Sequence, residues 1–279
     1  MKKSHIKIAT TTALTLIIII ISIAAINTTQ WAPSNKTPTQ TTTFHGVPVY
    51  SYKVIQTYPH DSSAFTQGLT FDNKGNLIES TGLNGASSLR RVNLSDGKIL
   101  QQINLAEEYF GEGITVVDDK IIQLTWQNKI GFIYNQETFD LLGNFKLNTE
   151  GWGLTYDNKH LILSDGTSKL HFLDTNTYQT INSINVHDAE GPVENLNELE
   201  YINGTIYANI WFSTKIAIIN PTTGQVEAYI DLEELAQPHT TKNREAVLNG
   251  IAYNTQTNQL YITGKNWPNL YEILITKPK

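Results

Sequence analysis

The chain of 279 residues contains no cysteine and is poor in charge. Without a thiol there is no disulfide, no thiolate nucleophile and no cysteine-based metal site. Charged side chains make up only 16% of the residues, and the formal net charge is −6. Because no stripe of lysine or arginine occurs in the sequence, these features argue against nucleic acid as a partner.

Signatures of several common site types are also missing. The seven histidines show no i, i+2 or i, i+4 pairing, which argues against a zinc site. Neither a Gly-x-Ser-x-Gly elbow nor a glycine-rich phosphate loop occurs, so serine hydrolases and nucleotide-binding proteins lack support. We therefore expect no metal and no cofactor.

The first 26 residues differ in composition from the rest of the chain. Lysines and a histidine precede an uncharged, apolar run of 19 residues from Ile8 to Ile26. The pattern is typical of an export signal, but a run of this length also suffices to span a bilayer. Residues 1–26 are therefore expected to be a signal peptide or a signal anchor. Either one predicts an extracytoplasmic protein that is periplasmic, secreted or attached to the membrane through residues 8–26.

The following segment, residues 27–46, is rich in threonine, proline and asparagine and has almost no aliphatic side chains. This composition predicts a flexible tether, because it provides too little apolar surface for a core. The folded domain is expected to span residues 47–279.

A short strand start recurs five times in this domain, with glycine at its second position in four copies. The copies begin 45, 40, 45 and 52 residues apart and are Gln67–Thr70, Glu112–Thr115, Trp152–Thr155, Asn197–Glu200 and Asn249–Ala252. Further strand-like segments, separated by Asn-, Asp- and Gly-rich turns, follow each copy. A strand-rich repeat of this length predicts an all-β fold, a five-bladed β-propeller with four strands in each blade.

The fifth copy stops at Ile273 after only three strands. The segment Tyr50–Tyr58, which precedes the first copy, resembles the fourth strand of a blade. Pairing this N-terminal strand with the last blade would close the ring and remove an open sheet edge. Apart from the N-terminal segment, the sequence predicts no helix.

The symmetry of the repeat places the first residue of each copy in a ring around one mouth of the central channel. This ring consists of Gln67, Glu112, Trp152, Asn197 and Asn249. Of these, only Glu112 titrates in a range that is useful for acid–base chemistry. If aromatic side chains bury it, its pKa should rise and it could shuttle protons. A structural alternative is an acid held by backbone N–H groups.

Ends of second strands are expected at the same mouth, where they add Trp126, Trp211, Lys265 and Trp267. Tryptophans clustered at the axis favour a ligand pocket with aromatic walls over core filling between blades. The carboxylates Glu198 and Glu200 are expected to be a solvated or inter-blade pair, although a metal clasp is an alternative.

Several motifs in order along the chain resemble the plant-type glutaminyl-peptide cyclotransferases, which also occur in bacteria. They include Phe65–Leu69, Tyr109–Gly113, Glu150–Tyr156, Leu196–Glu200 and Leu248–Ala252, and the likeness runs from about Tyr50 to Ile273. The resemblance implies a five-bladed propeller. It further implies that the substrates are peptides or proteins with an N-terminal glutamine, which is cyclised to pyroglutamate with release of ammonia.

The resemblance also implies which residues form the site. The matching positions are Phe65, Gln67, Phe110, Glu112, Trp126, Trp152, Asn197, Trp211 and Lys265. Glu112 would shuttle protons, Lys265 would tune it, and Asn197 with Gln67 would hold the substrate amide or the developing oxyanion. The aromatic residues would bind the glutamine side chain.

Two alternatives remain open at this point. One is a non-catalytic propeller that binds peptide N-termini or sugars. The other is a metal-dependent, lactonase-like hydrolase, which would place several carboxylates on the axis. In each case we expect a monomer.

Overall fold

The computed structural model describes residues 42–277, within which it contains 21 strands and one helix. The described chain begins with β1 (Thr43–Phe44), which pairs with β2 (Val47–Pro59). Ordered pairing thus starts within the last residues of the segment predicted to be a tether. The predicted signal or anchor lies outside the described residues.

The next twelve strands form three antiparallel sheets of four strands, each paired in chain order. The first sheet contains β3 (Thr66–Phe71), β4 (Leu77–Thr81), β5 (Ser88–Val92) and β6 (Ile99–Asn104). The second contains β7 (Gly111–Val117), β8 (Lys120–Thr125), β9 (Ile130–Asn135) and β10 (Leu141–Lys146). The third contains β11 (Leu154–Tyr156), β12 (His160–Ser164), β13 (Lys169–Asp174) and β14 (Thr180–Asn185).

The remaining strands join β1 and β2 in a nine-stranded sheet. Its first part is β15 (Leu196–Ile202), β16 (Thr205–Ile210), β17 (Lys215–Ile219) and β18 (Val226–Asp231). Its second part is β19 (Leu248–Asn254), β20 (Gln259–Gly264) and β21 (Asn269–Thr276). β2 lies between the two parts, because it pairs antiparallel with β21 and meets β18 in a short parallel stretch. The predicted pairing of the N-terminal strand with the last unit is therefore confirmed.

The first strand of every unit lies at the centre of the molecule. β3, β7, β11, β15 and β19 contact one another in a closed order, and their side chains are almost entirely buried. The fourth strands β6, β10 and β14 lie at the outside and carry many exposed side chains. The hydrophobic core fills the spaces between neighbouring units. This all-β arrangement is consistent with a β-propeller.

The glycine of the repeat allows neighbouring first strands to approach closely. A Cβ atom on Gly68 would lie 2.6 Å from the backbone nitrogen of Ile114, and one on Gly113 would lie 2.5 Å from that of Leu154. A Cβ atom on Gly153 would overlap the carbonyl oxygen of Asn197. The repeat therefore records a steric requirement of the central ring, since any side chain at these positions would separate the strands.

The fourth repeat has Glu198 where the others have glycine. Its buried carboxylate accepts hydrogen bonds from the backbone nitrogens of Leu69 (3.3 Å) and Ile251 (2.9 Å). Glu200 is also buried and accepts from the backbone nitrogen of Tyr253 at 2.8 Å. Burial raises the pKa of Glu198 well above its usual value and that of Glu200 to about 8. The two residues thus form the inter-unit pair that was expected.

The expectation that no helix follows the N-terminal segment was wrong. α1 spans Glu233–Thr240, contains Pro238 and buries Ala236 against the core. It is eight residues long and has no side-chain hydrogen bond at its N-cap, so it lacks the periodicity and start signal that identify longer helices. Between residues 42 and 277 no helix is long and apolar enough to cross a membrane.

The steric requirement at the ring can be tested by a glycine substitution. Gly153→Ala should destabilise the protein by about 3 kcal/mol, because the new methyl group overlaps backbone that cannot rotate away. Gly143→Ala in β10 is the matched control, since its Cβ would have no described atom within 4 Å. We expect the control to change stability by less than about 0.5 kcal/mol in urea unfolding. Equal stability of the two variants would contradict the proposed steric requirement.

Candidate active site

A cavity of about 310 Å³ opens at one end of the ring of first strands. All nine site residues predicted from the sequence line it, together with two residues that were not predicted. The lining residues are Phe65, Gln67, Leu83, Phe110, Glu112, Trp126, Trp152, Asn197, Trp211, Glu245 and Lys265.

Bulges in the first strands turn the polar side chains toward this cavity. The pairing register shifts between Thr66 and Gly68 in β3, between Gly111 and Ile114 in β7, and between Leu196 and Leu199 in β15. Gln67, Glu112 and Asn197 lie within these irregular stretches. A bulge interrupts the alternation of a strand and re-aims the side chains within it. This irregularity accounts for the direction of these three polar side chains.

Glu112 is the buried acid of the cavity, and only 4% of its surface is exposed. Burial raises its pKa well above the ordinary value; the Lys265 ammonium opposes this effect and the Glu150 carboxylate adds to it. The Gln67 side chain donates from Nε2 to Glu112 Oε1 at 3.1 Å. Desolvation thus favours the protonated form of Glu112, while Gln67 fixes its orientation.

Gln67 is itself held by the fifth member of the ring. Asn249 Nδ2 donates to Gln67 Oε1 at 3.1 Å and to the carbonyl oxygen of Thr66 at 2.9 Å. Asn249 therefore lies behind Gln67 and does not line the cavity. Because both ends of the Gln67 amide are engaged, this geometry favours orientation of Glu112 over the predicted contact with a substrate amide.

Lys265 is buried beside an aromatic ring. Its Nζ lies 4.7 Å from the centre of the Phe65 ring, and only 4% of the residue is exposed. Burial lowers its pKa, while the carboxylates of Glu112 and Glu245 raise it. A cation at this position stabilises the deprotonated form of Glu112.

Asn197 offers an unpaired polar group at the cavity. The residue is 3% exposed, and its Oδ1 has no hydrogen-bond partner among the described residues. Since buried side-chain polar atoms nearly always find a partner, this oxygen is a candidate acceptor for a ligand N–H group.

Two sets of aromatic side chains form the walls. Phe110 meets Phe65 and Trp126 edge to face, with ring centres 6.1 and 5.6 Å apart, and Trp152 meets Trp211 in the same manner at 5.5 Å. Edge-to-face contacts fix the relative orientation of the rings. The cavity therefore has rigid, apolar walls around a few polar groups, as ligand pockets do.

The prediction that Trp267 lies at the mouth was wrong. Trp267 is fully buried in the core, stacks on His239 and donates from Nε1 to the carbonyl oxygen of Ala246 at 2.8 Å. The turn after β20 folds the indole back onto Gly264, where a Cβ atom would overlap it. Position at a strand end therefore did not determine the direction of this side chain.

Three residues near the cavity were not assigned a role from the sequence: Leu83, Glu150 and Glu245. Leu83 and Glu245 belong to connections between strands, outside the repeat motif. Glu150 precedes Trp152 by two residues and binds the indole N–H groups of Trp126 and Trp152. Its sequence signals were this two-residue spacing and its place at the start of the Glu150–Tyr156 motif. In the part of the chain that the structure describes, no three His, Cys, Asp or Glu side chains are grouped to hold a metal ion.

The fold and cavity define an all-β protein, consistent with a propeller, that carries a buried carboxyl group in an aromatic pocket. The sequence model of the glutamine cyclotransferase family matches residues 22–275, and the chain belongs to this family. The resemblance recognised in the motifs is thereby confirmed.

Two relatives illustrate the relationship. The chain is 40% identical over 224 residues to a glutaminyl-peptide cyclotransferase of Arabidopsis thaliana, which covers 79% of this chain and 70% of the relative. It is 35% identical to the glutaminyl cyclase of Myxococcus xanthus, whose crystal structure superimposes with a TM-score of 0.78. That match covers 83% of this chain and 99% of the other.

The influence of Lys265 on Glu112 can be measured without an activity assay. In Lys265→Met the pKa of Glu112 should rise above its wild-type value, because the cation that favours the carboxylate is gone. Carbon-13 NMR of the side-chain carboxyl groups would follow the titration, and the Glu112→Gln spectrum would identify the signal. Lys98→Met, at an exposed lysine away from the cavity, should leave the midpoint unchanged. A midpoint that falls in Lys265→Met would contradict the assignment.

Proposed function

We propose that this protein is a glutaminyl-peptide cyclotransferase, which converts the N-terminal glutamine of peptides and proteins to pyroglutamate and releases ammonia. Family membership supports the reaction. The observation that carries the mechanism is the burial of Glu112 among aromatic side chains, with its pKa raised and its orientation held by Gln67. Glu112 is assigned as the proton shuttle.

The reaction requires two proton transfers at one site. The α-amine nitrogen attacks the carbon of the side-chain carboxamide, so a new C–N bond closes the five-membered ring. The C–N bond to the carboxamide nitrogen then breaks, and that nitrogen leaves as ammonia. The attacking amine must lose a proton and the leaving nitrogen must gain one. Glu112 takes the first proton and delivers the second, and it ends the cycle in its initial state.

The walls of the cavity favour ring closure by restricting the substrate. An extended glutamine side chain cannot cyclise, whereas a folded one brings the amine to its own carboxamide. Trp126, Trp152 and Trp211 enclose the folded form. The glutamine side chain therefore loses its conformational freedom when it binds, and this entropy loss no longer adds to the barrier of ring closure.

The polar groups act on the carboxamide and on Glu112. The Asn197 amide holds the substrate carboxamide: its unpaired Oδ1 accepts from the carboxamide N–H, and its Nδ2 is the group that donates to the developing oxyanion. Lys265 stabilises the carboxylate form of Glu112, so that this residue can accept a proton as well as release one.

The same proposal includes the architecture and the location. We assign residues 47–279 to a five-bladed propeller, supported by the closed order of contacts among the five first strands and by the pairing of β2 with β21. Residues 1–26 are assigned as a signal peptide or anchor and residues 27–46 as a tether, on composition. The domain would then act as a monomer outside the cytoplasm, free or attached to the membrane.

A non-catalytic binding protein is the second candidate, because rigid aromatic walls around one unpaired amide also suit capture of a peptide N-terminus or a sugar. An ammonia-release assay with Gln-initiated peptides separates the two, since the binding protein would saturate with peptide and release nothing.

Removal of the carboxyl group of Glu112 tests the shuttle. Glu112→Gln should retain the fold and lose activity by roughly 10² or more, in line with contributions of general acid–base catalysis. Ammonia release from a Gln-initiated dipeptide measures the loss, and circular dichroism with thermal unfolding verifies the fold. Turnover near the wild-type level would eliminate Glu112 as the shuttle.

A chelator tests independence from metal ions. Because Glu112 can supply both proton transfers, ammonia release should be unaffected by EDTA. Activity that disappears in EDTA and returns with a divalent cation would instead support a metal-dependent enzyme of the lactonase-like kind. Glu198 and Glu200, which already accept backbone hydrogen bonds, would then need to be re-examined as ligands.

A further inference from the structure

We infer that Glu150 is a positioning residue of this reaction, whose single carboxylate locks the indoles of Trp126 and Trp152 and imposes a negative charge on the Glu112 side of the cavity. The inference rests on the proposed function. It assigns a role to a residue that does not itself line the cavity.

One carboxylate oxygen of Glu150 accepts hydrogen bonds from both indoles. Glu150 Oε2 accepts from Trp126 Nε1 at 2.7 Å and from Trp152 Nε1 at 3.1 Å. Trp126 follows β8 in the second sheet, whereas Trp152 precedes β11 in the third. The carboxylate therefore fixes two walls of the cavity relative to each other, across a boundary between sheets. Hydrogen bonds to an ionised acceptor are about twice as strong as neutral ones, so both rings are held firmly.

The backbone around Glu150 is fixed independently. A Cβ atom on Gly151 would lie 2.9 Å from Leu124 Cβ, so this segment packs tightly against the end of β8. Trp152 is hydrogen-bonded through its backbone nitrogen to Ser164 at 3.0 Å, and its ring lies against Gly166. Because these contacts fix the backbone and one ring face, Glu150 has only to set the rotation of the two indoles.

A neutral acceptor could also hydrogen-bond to both indoles, although more weakly, and the charge of Glu150 has a second consequence. The Glu150 carboxylate raises the pKa of Glu112, whereas Lys265 lowers it. The other charged groups nearby are Glu245 in the cavity wall and Asp165, which accepts a hydrogen bond from Thr149, the residue before Glu150, and pairs with His171 at 2.9 Å. Glu112 is thus subject to a cation and an anion with opposite effects, and loss of either should move its titration in a known direction.

Two substitutions separate the lock from the charge. Glu150→Gln keeps an amide oxygen that can accept from both indoles but removes the charge. It should shift the limb of the pH–rate profile that Glu112 sets to lower pH and leave KM within about twofold, since both hydrogen bonds to the rings persist. Glu150→Ala removes both features and should raise KM by roughly tenfold, as expected for loss of charge-assisted hydrogen bonds. Glu234→Gln, at an exposed carboxylate on α1, is the matched control and should behave as wild type.

A spectroscopic measurement tests the lock in the absence of substrate. Near-ultraviolet circular dichroism reports the fixed environment of tryptophan, so the spectrum should change in Glu150→Ala but not in Glu150→Gln or Glu234→Gln. If Glu150→Ala fails to fold, Glu150→Gln still tests the charge through the pH profile.

Failure of the role assigned to Glu150 and failure of the proposed function would give different results. Absence of ammonia release by the wild-type protein would overturn the proposed function, and the spectra would still decide whether Glu150 locks the indoles. An active wild type with an unshifted profile in Glu150→Gln would overturn the electrostatic role. An unaltered spectrum and KM in Glu150→Ala would overturn the positioning role.

Discussion

The structure depends on the close approach of the five first strands at the centre of the molecule. Glycine at Gly68, Gly113 and Gly153 makes this approach possible, because the backbone of the next strand occupies the space where a side chain would begin. Strands this close leave no room for water between them. Gln67 and Glu112, the residues before Gly68 and Gly113, lie in bulges and line the cavity, where they are largely shielded from water.

Burial in this cavity allows the carboxyl group of Glu112 to act as a proton donor as well as an acceptor. A glutamate in water is ionised at neutral pH and is a poor proton donor, whereas burial raises the pKa of Glu112 and brings donation within reach. Burial alone would leave a permanently protonated acid that cannot accept the amine proton. Lys265 counteracts burial, Glu150 reinforces it, and Gln67 restrains the carboxyl group without adding charge. The site therefore combines one strong effect with two smaller opposing charges.

The sequence was informative wherever function follows from the repeat itself. The repeat and the turns within it predicted the four-stranded units and the position of Glu112, and the short fifth copy together with Tyr50–Tyr58 predicted the closing strand. Features that arise from contacts between distant segments left no recognisable pattern in the sequence. Trp126, Trp211 and Lys265 directly follow the second strands of their units, whereas Trp267 lies two residues further on, where packing against Gly264 turns it into the core. The hydrogen bonds of Glu150 join two sheets, and α1 is too short to show a helical period.

The fourth repeat departs from the requirement for glycine at the centre of the ring. At Glu198 the glycine is replaced by one of the largest polar side chains, but the carboxyl group reaches across to the backbone nitrogens of Leu69 and Ile251. These nitrogens belong to β3 and β19, so Glu198 links the fourth unit to the first and the fifth. Burial and the neighbouring Glu200 raise the pKa of Glu198 and favour its neutral form, which costs less to bury at the centre of the ring. The departure from glycine thus replaces close backbone packing by hydrogen bonds that join three of the first strands.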